Sequence, residues 1–214
     1  MQGVSADRRQ WRVCVLLTER LCARPWRDVL AAALEGGADC IQVREKELST
    51  RELCERVRAV IDRARPAGAA TVVNDRADVA LACGADGVHV GQDDLPVRDV
   101  RRLAGERLLV GASTHSLAEA RAAVESGADV CGVGAMFATG TKPGIAPGGA
   151  GYLRAYLSSF GGVPHLAIGG ITVANVHELA AAGCRGVAVS GAVCGAPDPA
   201  AVVRALRWPL EGHR

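Results

Sequence analysis

Gly37-Ala38-Asp39-Cys40-Ile41-Gln42-Val43 returns with small changes as Gly84-Ala85-Asp86-Gly87-Val88-His89-Val90, as Gly127-Ala128-Asp129-Val130-Cys131-Gly132-Val133, and as Gly183-Cys184-Arg185-Gly186-Val187-Ala188-Val189. Each copy follows an Ala-rich, helix-compatible stretch. A glycine just past a helix end supplies the left-handed cap, and the short β-branched run after it reads as a buried parallel strand. Helix, glycine cap and strand form the repeating unit.

Between these four strands lie further candidates at Arg12 to Leu17, Ala69 to Val73, Leu108 to Val110 and Pro164 to Ile168, each followed by helix-compatible sequence. Eight alternating units in 214 residues, with no Pro-, Ser- or charge-rich linker, predict an α/β chain folded as a single (β/α)8 TIM barrel. The barrel is expected to span 1–214, with 1–11 and 208–214 as peripheral tails. A doubly wound open sheet is the alternative, disfavoured by the even spacing and by the lack of Gly-x-Gly-x-x-Gly after the first strand. The longest irregular stretch, Gly134 to Gly149, is expected to act as an active-site flap.

Nearly half of the residues are apolar, yet only seven are aromatic, which suits helix-on-sheet packing and disfavours nucleic-acid binding by base stacking. The formal charge of +2 is small and the arginines are scattered among acids, so no basic block points to nucleic acid or membrane. Eight cysteines without a Cys-x-x-Cys pair fit small buried hydrophobes in a reducing compartment. The apolar run Val13 to Leu17 is too short for a signal-peptide core, and no stretch is long enough to span a bilayer. A cytoplasmic protein is expected.

Lys46 and Lys142 are the only lysines beside twenty-three arginines, and both sit in polar motifs just after strand-like runs. A lysine kept in an arginine-biased chain marks a place for a compact ammonium. In a parallel barrel the carboxyl ends of all strands open on one face, so residues distant in sequence converge there. Gln42, Arg44 and Lys46 alternate, and an extended backbone would turn all three to one side as a polyanion clamp. Asp75 and Asp94 come from neighbouring strand ends and could hold Mg²⁺ opposite such a clamp, with Asp93 as a competing ligand and helix capping as the other role. Gly169-Gly170 and Ser190-Gly191 fall where such barrels often bind a phosphate. His89 reads as a hydrogen-bonded barrel residue. His115, beside Ser113, could cap, donate to a phosphate or shuttle a proton.

In order, Gln42-Val-Arg-Glu-Lys46, Asn74-Asp75, Gly87-Val-His-Val-Gly-Gln-Asp-Asp94, Ser113-Thr-His115, Thr139-Gly-Thr-Lys142 and Ala167-Ile-Gly-Gly-Ile171 closely resemble the thiamine phosphate synthase family, from about Cys14 to Leu206. The resemblance implies a transferase that joins 4-amino-5-hydroxymethyl-2-methylpyrimidine diphosphate to a thiazole phosphate, or its 2-carboxy form, and releases diphosphate. By matching positions, Gln42, Arg44, Lys46, Asn74, Ser113 and Lys142 would hold the pyrimidine diphosphate, with Arg44, Lys46, Ser113 and Lys142 acting in catalysis. Asp75 and Asp94 would hold Mg²⁺, and Thr139, Gly140, Thr141, Gly170, Ser190 and Gly191 would line the thiazole phosphate site. The partners implied are these small molecules, with no nucleic acid or membrane, and a homo-oligomer is left open.

Two features depart from the family pattern. The chain reads Gly134-Ala135-Met136-Phe137-Ala138-Thr139 where the family usually has Gly-Pro-x-Phe-Pro-Thr, and Gly191 stands where a Ser is common. The first predicts a less rigid flap, the second a weaker hold on the thiazole phosphate. The alternatives are a thiazole tautomerase of the related paralogous family, with His115 as shuttle, and a non-catalytic barrel that senses a phosphorylated metabolite.

Overall fold

The computed structural model describes residues 11–139 and 147–212. Eight parallel strands close into a barrel in sequence order: β1 Val13–Leu17, β2 Cys40–Val43, β3 Ala70–Asn74, β4 Gly87–Val90, β5 Leu109–Thr114, β6 Val130–Gly134, β7 His165–Ile168 and β8 Val187–Val189, with β8 pairing back onto β1. The connecting helices are α1 Trp26–Glu35, α2 Thr50–Ala64, α3 Ala77–Cys83, α4 Val97–Ala104, α5 Leu117–Glu125, α6 Gly149–Phe160, α7 Val176–Ala181 and a short α8 Gly191–Cys194, followed by α9 Pro199–Arg207. None of the helices among the described residues is long and apolar enough to cross a membrane.

The sequence repeat has a physical meaning at each of its positions. Its glycines, Gly37, Gly84, Gly127 and Gly183, all have positive φ, between 70° and 94°, which a side chain would resist. The aspartate two residues on then accepts amides where the preceding strand begins. Asp39 Oδ2 takes those of Arg12 and Val13 at 2.9 Å each, Asp86 Oδ2 that of Thr71 at 2.8 Å, and Asp129 Oδ2 that of Val110 at 2.8 Å. These carboxylates satisfy strand-start donors that have no ladder partner. In the fourth copy Arg185 replaces the aspartate and the contact runs the other way: the Arg185 amide donates to Nε2 of His165, at the start of β7, at 3.2 Å.

Alternation along each strand sends one set of residues outward under the helices and the other into the barrel. Val13, Val15, Leu17, Ile41, Val43, Val73, Val88 and Val110 belong to the larger buried cluster, between sheet and helices. Cys14, Leu16, Cys40, Ala70, Val72, Leu109, Leu166 and Ala188 form a smaller one that fills the interior. The ends of the described chain are less peripheral than the sequence suggests. Trp11 and Leu210 are buried, and Arg12 donates to the Leu210 carbonyl at 2.6 Å, because both ends cover the base of the barrel.

Candidate active site

At the carboxyl ends of the strands lies a cavity of about 360 Å³. Its inner wall is apolar, from Leu16, Ile168 and Ala188, and its polar groups come from Arg44, Ser113, His115, Thr139, Ser190 and the backbone of Gly170 and Gly191. Eight of the positions singled out in the sequence therefore meet in one space: Arg44, Ser113, His115, Thr139, Gly169, Gly170, Ser190 and Gly191. Gly140, Thr141 and Lys142 lie outside the described residues.

Gln42, Lys46, Asn74, Asp75 and Asp94 occupy the β2 to β4 side of the mouth. Asn74 closes β3, and Asp75 follows at φ +63°, a left-handed conformation that Asp adopts more readily than most residues. Its amide donates to the His89 carbonyl at 2.8 Å, which carries the β3–β4 pairing one residue further. The Asp75 and Asp94 carboxylates are neighbours, and Lys46 Nζ stands 3.6 Å from Asp75 Oδ2. Burial first, then the Asp94 carboxylate, push the Asp75 carboxyl above its ordinary range, while Lys46 pulls it down. Asp94 also accepts the Gly91 amide at 2.8 Å, so it shapes its own loop.

Gln42, Arg44 and Lys46 were expected to alternate along one extended strand, and the structure puts the first two on β2 and its ladder extension and the third past the end of the sheet. Pairing with β1 carries on to Arg44, whose amide donates to the Leu17 carbonyl at 3.0 Å. Beyond it the chain bends: Gln42 is buried in β2, Arg44 lines the cavity and an exposed Lys46 reaches Asp75. Ser113 likewise lies within a strand and not after one, since β5 runs four residues past the predicted Val110.

Inside the barrel, His89 Nε2 and Ser113 Oγ are 2.9 Å apart. The ring crosses two glycines: a methyl group at Gly111 would meet His89 Nδ1 at 2.4 Å, and one at Gly132 would meet Cε1 at 3.1 Å. Gln92 Nε2 donates to the Ser113 carbonyl at 2.6 Å, so Ser113 is held from both ends. His115 is fixed by Glu119, whose Oε2 accepts its amide and contacts Nδ1, each at 2.9 Å.

Two residues at the site, Tyr152 and Glu119, were not singled out from the sequence. Tyr152 of α6 brings its hydroxyl within 3.0 Å of Thr114 Oγ1 and 3.1 Å of the Ser116 carbonyl, tying the start of α6 to the exit of β5. Thr114 donates in turn to the Gly132 carbonyl at 3.1 Å. Glu119 could have been found by its i, i+4 spacing from His115, whereas Tyr152 lies 38 residues from Thr114 and had no local signal.

The expected loss of stiffness around Ala135 and Ala138 is offset by pairing. The Met136 amide donates to the Ile168 carbonyl at 2.8 Å and that of Phe137 to Gly169 at 2.9 Å, while the Gly148 amide returns to the Ala135 carbonyl at 2.9 Å. Gly169 and Gly170, at φ +100° and +64°, allow the close approach, since a methyl group at Gly170 would meet the Ala138 carbonyl oxygen within 2.4 Å.

Among the described residues no three His, Cys, Asp or Glu side chains gather as a closed metal cage. The Asp75–Asp94 pair is an open, two-carboxylate arrangement instead.

Residues 13–193 match the family model described as thiamine monophosphate synthase. The chain is 49% identical over 199 residues to the thiamine-phosphate synthase of Chloroflexus aurantiacus, covering 92% of this chain and 91% of that protein. It is 46% identical over 200 residues to the thiamine-phosphate synthase of Moorella thermoacetica, covering 92% and 95%. Among solved structures, the thiamine phosphate pyrophosphorylase from Pyrococcus furiosus superposes with a TM-score of 0.88 at 37% identity over 96% of this chain and 98% of that one. A 3-hexulose-6-phosphate synthase, 23% identical with a TM-score of 0.70, shares the fold.

Proposed function

Since this chain belongs to the thiamine monophosphate synthase family, a family of transferases, we propose that its barrel mouth joins 4-amino-5-hydroxymethyl-2-methylpyrimidine diphosphate to 4-methyl-5-(2-phosphoethyl)thiazole, or its 2-carboxy form, giving thiamine phosphate and diphosphate. The observation that carries this reading is the neighbouring Asp75 and Asp94 carboxylates, with Lys46 3.6 Å from Asp75, beside a cavity that Arg44 lines.

Two neighbouring carboxylates favour a divalent cation, and Asp75 and Asp94 would hold Mg²⁺ here. When bound there, Mg²⁺ supplies electrostatic stabilisation to the departing diphosphate. Arg44, Lys46 and Lys142 bind the same group and offset the negative charge that grows as the exocyclic C–O bond breaks. Gln42, Asn74 and Ser113 orient the pyrimidine diphosphate by hydrogen bonds. The carbon cation so formed is captured by the thiazole nitrogen, making the new C–N bond. Thr139, Gly140, Thr141, Gly170, Ser190 and Gly191 anchor the thiazole phosphate, and the apolar wall of Leu16, Ile168 and Ala188 keeps water away from the cation. No side-chain nucleophile is needed.

The test is incubation of purified protein with both substrates and Mg²⁺, with thiamine phosphate followed as fluorescent thiochrome and EDTA as control. Metal-dependent product is the expected result. Absence of product, or product undiminished by EDTA, would sink the reading. Proton transfer on a thiazole phosphate is the second reading, favoured by the His115–Glu119 pair at the cavity edge. It would appear in the same assay as thiazole isomerisation without coupling.

A further inference from the structure

Arg44 enters the cavity and Lys46 reaches Asp75, while the residue between them is held by quite different partners. Glu45 Oε1 accepts the Glu19 amide at 2.8 Å and pairs with Arg56 Nη1 at 2.9 Å. The other terminal nitrogen of Arg56 pairs with the Glu19 carboxylate, and its guanidinium carbon lies 4.1 Å from the centroid of the Trp26 ring. The side chains of Arg56 and Glu45 are each only 10% exposed. One guanidinium thus ties together the turn after β1 at Glu19–Leu21, the segment after β2, the start of α1 and the middle of α2.

The arrangement answers a mechanical need. Ladder pairing with β1 reaches Arg44 and stops there, because Glu45 and Lys46 lie past the end of the sheet. The segment that carries both cations therefore depends on side-chain contacts, and a planar fork stacked on an aromatic face is well suited to hold it. There is an electrostatic need as well. A largely buried carboxylate deprived of Arg56 would have the cations on either side of it, Arg44 and Lys46, as its nearest intrasegment partners and would draw their charge away from a bound anion.

We propose that Glu45 and Arg56 are positioning residues that fix the 44–46 segment so that Arg44 and Lys46 present their charges to the diphosphate. The inference rests on the reading of the site given above and adds to it the pair that aims the clamp. Neither residue touches substrate in this account.

The test compares parent, Arg56→Met, Arg56→Lys and Glu45→Gln in initial-rate assays with each substrate varied, alongside calorimetric titration with inorganic diphosphate and Mg²⁺. In Arg56→Met the KM for pyrimidine diphosphate should rise about tenfold or more, with a parallel loss of diphosphate affinity and the KM for thiazole phosphate changed by less than about twofold. Arg56→Lys keeps the charge but not the fork and should fall between Arg56→Met and the parent, as should Glu45→Gln. An unchanged KM for pyrimidine diphosphate in Arg56→Met, or an equal rise in both KM values together with a lower Tm, would overturn the positioning role while leaving the synthase reading intact. A parent that forms no thiamine phosphate would overturn that reading, and the titration would then decide alone: diphosphate affinity lost in Arg56→Met supports the positioning role, and affinity retained ends it.

Discussion

His89 on β4 and Ser113 on β5 meet at 2.9 Å inside the barrel, and the room for that contact is provided by the missing side chains of Gly111 and Gly132. The same geometry ranks two substitutions. Gly111→Ala would place a methyl group 2.4 Å from the His89 ring, so the ring must leave Ser113, whereas Gly132→Ala at 3.1 Å needs only a small shift. We expect Gly111→Ala to cost about 1–3 kcal/mol of stability and to lower coupling activity strongly, with a milder effect of Gly132→Ala. Chemical denaturation and initial rates for both variants check this. Equal effects would show that His89 does not set the limit.

Asp75 combines a left-handed backbone with a neighbouring carboxylate, that of Asp94. Asp75→Asn suits the same backbone and removes a like charge, so its Tm should match or exceed that of the parent, while Mg²⁺-dependent turnover falls by about a hundredfold or more. Asp75→Ala should lose the same activity and about 1 kcal/mol of stability besides. Thermal unfolding together with Mg²⁺ titration of the rate separates the two effects. Full turnover in Asp75→Asn would remove this residue from the proposed metal site.

Burial, and after it the nearby charge of Arg185, lower His165 to a pKa of about 4, so it is neutral in the folded barrel at pH values where an unfolded histidine takes up a proton. For a histidine with a depressed folded pKa, the unfolded chain binds more protons between the two pKa values, and stability falls as pH drops from about 6.5 towards 4. This contributes a loss of up to about 3 kcal/mol, complete near the lower value. His165→Gln keeps an acceptor for the Arg185 amide without the titration. The stability of the parent relative to this variant should decline across that window, as measured by denaturant unfolding at several pH values. A constant difference would refute it.

An added Cβ at Gly191 meets nothing within 4 Å, although the position borders the cavity. Gly191→Ser should therefore fold as the parent does and offer a further hydroxyl to the thiazole phosphate. Its KM for that substrate should fall by roughly twofold to tenfold, about what one added hydrogen bond contributes. Steady-state kinetics with thiazole phosphate varied provide the check, and a raised KM would mean that the backbone amide of a glycine is what the site uses.

The barrel was legible because each glycine-capped repeat states where a helix stops and a strand starts, and the strand cores then follow from β-branched runs. The far end of β5 was not, since Gly111-Ala112-Ser113-Thr114 has the composition of a loop and is kept extended by its two neighbours, β4 and β6. The convergence of Arg44, Ser113, Thr139, Gly170, Ser190 and Gly191 followed from the fold alone, once strand ends were read as one face. What stayed hidden depends on contacts between elements. Nothing near Glu45 announces Arg56 eleven residues later, and alternation could not foresee that the chain leaves the sheet before Lys46.

Met136 and Phe137 hydrogen-bond to the carbonyls at the exit of β7. The entropy of fixing that side of the mouth is thus lost when the chain folds and not when a ligand arrives. Under the proposed function, a phosphate reaching Thr139 would meet a wall already in place. Its affinity then reflects the contacts it makes more than any order it must impose, a pre-organisation reached with main-chain pairing where the family pattern would use proline rings.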